Sequence, residues 1–381
     1  MRIAFDAKRA YQNTTGLGNY SRMLIKALAA GYPQDEFYLA APKETDLFTP
    51  GYPNIHTITP NGLRKNIRSL WRSNLVKADL KEHDVDIYHG LSNEIPKGIQ
   101  ATGIKSVVTI HDLIFERYPK QYAAIDTAIY RYKFRYAAKH ADKVIAISEQ
   151  TKQDLMQYYQ TPEHKIAVCY QSCDPIFEAQ KDEAAIAATK VIYGLPDKYF
   201  LYVGSVIERK NLLTICKALA ELKTRLPIPL VVIGNGGKYL QQVKEYISKQ
   251  ELTDRILFLS EQDTAQKPSF KNAADFPAIY QGATALIYPS IYEGFGIPIL
   301  EALWSRLPVI TSNLSCLPET GGDAAYYINP ISVPDMVKAM EQVATDDALR
   351  TEMINKGLIH AAKFTPAQHA ASVMKVYQSL L

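Results

Sequence analysis

Glu293 and Glu301 are separated by seven residues that include Gly294, Gly296 and Pro298. Glycine permits a tight loop, and proline suits the first turn of a helix. The pattern therefore predicts a loop at Glu293 running into a helix, with Glu301 about one turn inside it. Backbone N–H groups of Phe295–Ile297 would point at an anion at that helix N-terminus, and both carboxylates would accept hydrogen bonds from hydroxyls. Donors for phosphate beside acceptors for ribose and hexose suit a sugar diphosphate. The competing reading is a plain glycine loop with two glutamates on a helix face.

Other segments carry weaker signals. Gly204-Ser205-Val206-Ile207-Glu208-Arg209-Lys210-Asn211 follows an apolar run, and Arg209 and Lys210 can neutralise a pyrophosphate. Two adjacent cations at a helix N-terminus oppose the helix dipole, which favours a functional reason for them over a solvated helix start. Gly16-Leu17-Gly18-Asn19 is either a structural tight turn or a phosphate or acceptor contact; it lacks the third glycine of a dinucleotide fingerprint. Gly234-Asn235-Gly236-Gly237 is a further glycine turn. His111-Asp112 ends an apolar run, where the imidazole either donates to a hydroxyl or phosphate with Asp112 orienting it, or is a satisfied structural histidine. Ser148-Glu149 reads as a helix N-cap. Asp84-Val85-Asp86 precedes a strand, so it reads as a turn cap and not as a metal clamp.

The elements that must position these residues alternate regularly. Arg2–Phe5, Phe37–Ala41, Ile55–Thr59, Ile87–His89, Ser106–Ile110 and Val144–Ile147 are short apolar runs, as buried parallel strands require. Tyr20–Ala30, Asp126–Lys139 and Thr151–Tyr159 have helical periodicity. The pattern restarts with strands Tyr199–Val203, Pro229–Ile233, Ile256–Leu259, Ala285–Tyr288 and Pro308–Thr311. Helices are expected at Asn211–Leu226, Lys238–Gln250, Gly296–Ser305 and Pro334–Thr345. This predicts an α/β chain of two doubly wound, Rossmann-like domains, divided within Cys173–Lys198. Ligands of such sheets bind beyond the carboxyl ends of the strands. The glycine turns all follow strands, so they are expected to line one cleft between the domains.

Size and composition agree. A chain of 381 residues exceeds a single core, and 47% hydrophobic with 22% charged residues is ordinary for a globular protein. The net charge of +4 implies no nucleic-acid partner. Residues 1–172 hold 23 Lys/Arg against 17 Asp/Glu, which suits an anionic surface or phosphorylated acceptor, or is scatter of solvated charge. Cys169, Cys173, Cys216 and Cys316 lack metal-ligand spacing and read as buried thiols of a reducing cytosol. The sequence starts directly as a strand and holds no run of 18 apolar residues, so neither classical secretion nor a membrane span is expected.

The run Tyr288-Pro289-Ser290-Ile291-Tyr292-Glu293-Gly294-Phe295-Gly296-Ile297-Pro298-Ile299-Leu300-Glu301-Ala302 resembles the signature of family 4 glycosyltransferases and contains their E-x₇-E motif. Pro308–Ser312, Leu317–Glu319, Gly322–Ala325, Gly16–Gly18, His111-Asp112, Ile147–Glu149 and Gly204–Asn211 match in family order across nearly the whole chain. The resemblance implies a GT-B architecture, with the last helix, about Pro366–Leu381, crossing back to the N-terminal domain. Domains of 1–172 (with 366–381) on the acceptor side and 173–365 on the donor side follow from it. It implies a retaining transferase that needs no metal or other cofactor and uses a GDP- or UDP-linked sugar, with mannosyl or glucosyl transfer favoured. The acceptor would be a glycan or lipid-linked saccharide in cell-surface polysaccharide biosynthesis, handled in the cytoplasm or at the inner face of the membrane.

Carried over by position, Glu301 would bind ribose hydroxyls. Glu293 would hold the transferred sugar with backbone at Gly294, Phe295, Gly296 and Ile297, beside Leu300. Lys210 would contact the diphosphate and Arg209 share its charge, with Gly204, Ser205 and Gly234 alongside; Gly16 and Gly18 would bring backbone N–H groups to the phosphates. His111 would lie near the reacting carbon, giving catalytic residues His111, Glu293, Lys210 and Arg209. Many members carry arginine where this chain has Ser205. The stretch Ser260–Pro277 is longer than usual. No nucleophile is evident, which favours front-face attack. The alternatives are a GT-B sugar-nucleotide epimerase and a non-catalytic sugar-nucleotide-binding partner. Two basic, aromatic stretches, Leu63–Lys77 and Ile129–Lys139, either lie on an anionic membrane, bind a lipid-linked glycan, or pack with snorkelling cations.

Overall fold

Runs of Val, Ile, Leu and aromatic residues form two fully parallel sheets, one in each unit of the chain. The computed structural model describes all of residues 1–381, which divide into Met1–Ser172 with Thr365–Leu381, and Cys173–Phe364. The first unit holds β1 (Arg2–Asp6), β2 (Glu36–Ala40), β3 (Ile55–Ile58), β4 (Ile87–Gly90), β5 (Lys105–Ile110), β6 (Lys143–Ala146) and β7 (Ile166–Val168), in the order β3-β2-β1-β4-β5-β6-β7. The second holds β8 (Phe200–Val203), β9 (Leu230–Ile233), β10 (Ile256–Phe258), β11 (Ala285–Tyr288), β12 (Val309–Ser312) and β13 (Ala325–Ile328), in the order β10-β9-β8-β11-β12-β13. The central strands are buried on both faces, so they carry no polar alternation. In the second unit the strand order reverses between β8 and β11, which pair Ala285 with Phe200 and Leu286 with Leu201. That reversal is the switch point at which open α/β sheets hold ligands.

Several helix starts follow their side chains. Ser148 accepts from the Thr151 amide and Asp182 from that of Ala185, while Thr365 and Gln368 form a capping box ahead of helix Pro366–Gln378. All four cysteines are free and buried. Asp86 accepts the Arg2 amide and Asp84 pairs with the Arg2 guanidinium, so this acidic pair pins the start of β1.

Some expectations needed correction. Gly16 and Gly18 do not form a turn before a helix; they are its first turn, since the helix runs Gly16–Gly31. The helix expected to reach Leu226 stops at Glu221 and continues as a turn ahead of Pro227. Arg209 and Lys210 lie in a 3-10 turn, Glu208–Lys210, separated from helix Leu212–Glu221 by Asn211 in left-handed conformation. The helix dipole is thus not what the two cations face. Leu63–Lys77 is no single helix but a 3-10 turn at Gly62–Ile67, a short turn at Arg68–Leu70 and a π-turn at Trp71–Leu75. Ser260–Pro277 folds as short helical turns, with Pro268 and Pro277 in the first turns of Pro268–Lys271 and Phe276–Gln281. Strands β7 and β13 and helix Asp347–Ala361 were not expected.

Candidate active site

The loops that follow β8 and β11 meet at the switch point. The Ile291 amide donates to the Arg209 carbonyl at 2.8 Å, tying one loop to the other. Beside β8, β9 ends in Gly234, which approaches so closely that a Cβ there would lie 1.9 Å from the Gly204 carbonyl oxygen. Only glycine fits this approach. A Cβ on Gly204 itself would press on the Lys210 side chain at 3.0–3.3 Å, so Gly204 leaves the room in which the ammonium lies.

Four donors converge on one oxygen of Glu293. Its Oε1 accepts from Ser290 Oγ at 2.8 Å, Arg209 Nη1 at 2.9 Å, the Tyr288 hydroxyl at 3.0 Å and Lys210 Nζ at 3.1 Å. Lys210 Nζ also donates to the Tyr288 hydroxyl at 2.7 Å, so the phenol bridges ammonium and carboxylate. Glu293 and Arg209 are each only 8% exposed. Burial alone would raise the Glu293 carboxyl; the charges of Lys210 and Arg209, with hydrogen bonds from Ser290 and Arg209, overcome this and hold it down at about 2. Two cations around one carboxylate leave a net positive charge, which suits an anionic ligand. Arg209 also donates to the Tyr292 carbonyl. Its guanidinium therefore also braces the Glu293 loop.

The Glu293 backbone is fixed as firmly. Its carbonyl accepts from Ser315 Oγ at 2.9 Å and Cys316 Sγ at 3.2 Å. Phe295 is buried against Phe364, and its carbonyl accepts from Thr320 Oγ1 at 2.5 Å. Gly294 lies between these anchors, and Gly296 caps helix Ile297–Trp304 with Pro298 in the first turn. Leu300 is a core residue of that helix.

Glu301 sits on the same helix in a different environment. Its Oε2 accepts from the Tyr280 hydroxyl at 2.7 Å. Burial pushes its carboxyl up to about 7; Asp174 adds to the rise, while the Tyr280 hydrogen bond and Lys210 oppose it. The two glutamates are thus pushed in opposite directions, one permanently charged and one titrating near neutrality. Tyr280 rests edge-on against Phe177, with ring centroids 5.1 Å apart.

Other candidates are placed differently. Ser205 is exposed and its carbonyl accepts from the Tyr202 hydroxyl at 3.0 Å. In the first unit, the Gly18 amide donates to the Thr15 carbonyl at 2.9 Å and to Asn13 Oδ1 at 3.0 Å. A Cβ on Gly18 would lie 1.9 Å from the Asn13 carbonyl oxygen, whereas one on Gly16 would meet nothing. Gly18 is therefore accounted for by packing, and its N–H is engaged within the chain. His111 is buried at the end of β5, and its Nε2 donates to the Leu91 carbonyl at 2.8 Å. A carbonyl only accepts, which fixes the proton on Nε2. Burial, reinforced by Arg9, pushes the imidazole down to about 4, against the pull of the Leu91 carbonyl. A neutral His111 can then accept through Nδ1 but has no N–H left to donate, contrary to the expected donor role. Asp112 does not supply the Nε2 partner; its Oδ1 accepts the Ile114 amide at 3.1 Å.

The sequence did not single out Tyr288, Ser290, Tyr280, Ser315 or Asp174. Tyr288 and Ser290 had a legible signal, since they flank Pro289 at the end of a strand just before Glu293. Tyr280 and Asp174 had none, because contacts over such separations leave no pattern in the chain.

Residues 189–359 match the family described as Glycosyl transferases group 1, and residues 14–175 match Glycosyltransferase Family 4. O-antigen chain mannosyltransferase B of Escherichia coli is 24% identical over 398 aligned positions, covering 100% of both chains. Serotype-specific mannosyltransferase WbdA of the same species is 27% identical over 310, covering 78% of this chain and 36% of that longer protein. Among solved structures, Anabaena HepE in complex with UDP and glucose superimposes with a TM-score of 0.74 at 16% identity, covering 100% of both chains. That likeness concerns the fold.

Proposed function

Because the chain belongs to the group 1, family 4 glycosyltransferases of GT-B fold, an enzyme family, we propose that it transfers a hexosyl group, mannosyl first, from a GDP- or UDP-linked donor to a glycan or lipid-linked saccharide in polysaccharide biosynthesis. The observation that carries this is the convergence of Lys210, Arg209 and Glu293 at the switch point of the second unit, with Glu301 on the adjoining helix. The mannosyltransferase relatives support the choice of sugar.

In this reading the diphosphate lies against Lys210. Tyr288 and Glu293 Oε1 aim that ammonium, so little reorganisation is needed as charge develops on the leaving group. Glu293, held ionised, accepts hydroxyls of the transferred sugar, and Glu301 accepts those of the ribose. The net positive charge among Arg209, Lys210 and Glu293 supports stabilisation of the diphosphate by side chains without a metal. Transfer breaks the bond between the anomeric carbon and the diphosphate oxygen. The acceptor hydroxyl forms the new bond from the same face, and its proton passes to the departing phosphate, which retains configuration.

The test is a panel of GDP- and UDP-linked hexoses, assayed with and without chelator, with NMR of the product's anomeric proton. Turnover of a mannosyl donor in chelator with retained configuration is expected; an inverted product contradicts the mechanism. Donor incubated without acceptor separates this reading from an epimerase, which would convert the donor alone.

A further inference from the structure

We propose that the helix Ala124–His140 and the segment Gly62–Leu70 form a surface that docks on an anionic lipid bilayer. The proposal concerns the first unit and does not depend on the donor assignment.

Each element exposes an apolar stripe. On the helix, Ile125, Ile129 and Tyr132 are 75%, 46% and 56% exposed; on the segment, Leu63, Ile67 and Leu70 are 87%, 43% and 49% exposed. The helix triplet has the spacing i, i+4, i+7, which keeps it on one face, and the segment presents its three side chains from two successive short turns. The other side of the helix is already occupied. Thr127, Ala137 and Ala138 are buried there, and Phe134 packs edge-on against Phe115 with centroids 5.0 Å apart. The exposed stripe is therefore surplus to the fold, and packing explains only half of this helix.

The turn that continues the segment, Trp71–Leu75, is tied to the helix through Glu94, which pairs with Arg72 at 3.1 Å and with Lys133 at 3.2 Å. The Lys97 amide adds a bond to the Ser73 carbonyl at 2.8 Å, and its ammonium lies over the Tyr132 ring, 4.8 Å from the centroid. Charge around the stripes is one-sided. Lys65, Arg68, Lys97 and Lys120 are exposed, no acidic residue lies between Asn61 and Arg72, and Asp126 is the helix's one acid. Apolar side chains that enter the headgroup boundary, flanked by long cations that reach phosphates, are the chemistry of an interfacial membrane contact. The cationic bias selects an anionic bilayer over an apolar protein groove. No helix of the chain is long and apolar enough to cross a membrane, so attachment would be peripheral.

The experiment is flotation of the full chain with vesicles of phosphatidylethanolamine containing one-quarter phosphatidylglycerol, against vesicles of phosphatidylcholine, at low and high salt. Neither vesicle contains a saccharide lipid, so binding reports the bilayer itself. The chain is expected to float with the anionic vesicles at low salt and to be released by salt. Lys65→Gln with Arg68→Gln should weaken partitioning roughly 30-fold, from about fivefold per basic side chain near the surface. Ile125→Ser with Ile129→Ser should likewise lower the floated fraction at low salt, by removing the apolar side chains that enter the headgroup boundary. All four positions are exposed, and both variants should bind nucleoside diphosphate as the unsubstituted chain does. Failure to float at low salt, or flotation of either variant like the unsubstituted chain, overturns the proposal. Loss of nucleoside diphosphate binding by the unsubstituted chain would instead overturn the donor reading.

Discussion

Glu301→Gln should make the unliganded protein more stable while weakening its hold on the donor. Burial raises the Glu301 carboxyl from its ordinary 4.5 to about 7, so the folded chain holds this proton more tightly than the unfolded chain does. The sign is therefore opposite to that of a salt-bridged carboxylate. Below pH 4.5 both states are protonated and the group costs nothing. The cost grows between 4.5 and 7, and above 7 it is complete. At 1.36 kcal/mol per pH unit it reaches on the order of 3 kcal/mol at pH 8 and under about 1 kcal/mol at pH 5. Glutamine keeps an oxygen for the Tyr280 hydroxyl and carries no charge to desolvate. For a unit of this size the difference translates to a melting point about 5–10 °C higher for the variant at pH 8, shrinking to about 2 °C at pH 5. Calorimetry of the full chain without nucleotide, from pH 5 to 8, measures it. Binding moves the other way. Ribose hydroxyls donate better to a carboxylate than to an amide, so the variant should bind nucleoside diphosphate about 10- to 100-fold more weakly at pH 8. Affinity of the unsubstituted chain should rise with pH through 7. A melting-point gap that stays flat or narrows as pH rises refutes the reasoning.

Lys210→Ala should lower kcat about 100-fold or more, because the charge it answers develops only as the diphosphate leaves; steady-state assay checks this, and near-normal turnover would count against the site. Tyr288→Phe keeps the ring but removes the hydroxyl that joins Lys210 to Glu293. It should cost about 1–3 kcal/mol of stability, seen in chemical denaturation, and lower kcat more than it changes KM. Gly234→Ala should be strongly destabilising, since its Cβ would sit 1.9 Å from the Gly204 carbonyl oxygen, and a melting curve unchanged from the parent would contradict that packing.

Much of this was legible in the sequence, and the limits have physical causes. Buried parallel strands lack alternation, and their unbroken apolar runs disclosed most of both sheets. The edge strands β7 and β13 escaped because Ile166–Val168 is very short and Ala325–Ile328 is only partly buried. Glu293, Glu301, Gly204 and Lys210 could be found because local spacing defines a glycine loop and a helix start. What sequence could not supply was the partner of each charge. Arg209 reads from the sequence as a cation for the diphosphate, and its contacts with Glu293 and the Tyr292 carbonyl add a bracing role that no local pattern announces. Gly18 reads from the sequence as either a tight turn or a phosphate contact, and the nearby Asn13 carbonyl, which alone requires a glycine there, has no local signature. His111 lost its donor role to the Leu91 carbonyl, 20 residues away in the chain.

The central claim is that the second unit holds the donor with Lys210 on the diphosphate and Glu301 on the ribose. A crystal structure with bound nucleoside diphosphate tests it most directly. The account predicts phosphate oxygens within hydrogen-bond reach of Lys210 Nζ and both ribose hydroxyls on the Glu301 carboxylate. A nucleotide bound away from the loops after β8 and β11 would contradict it.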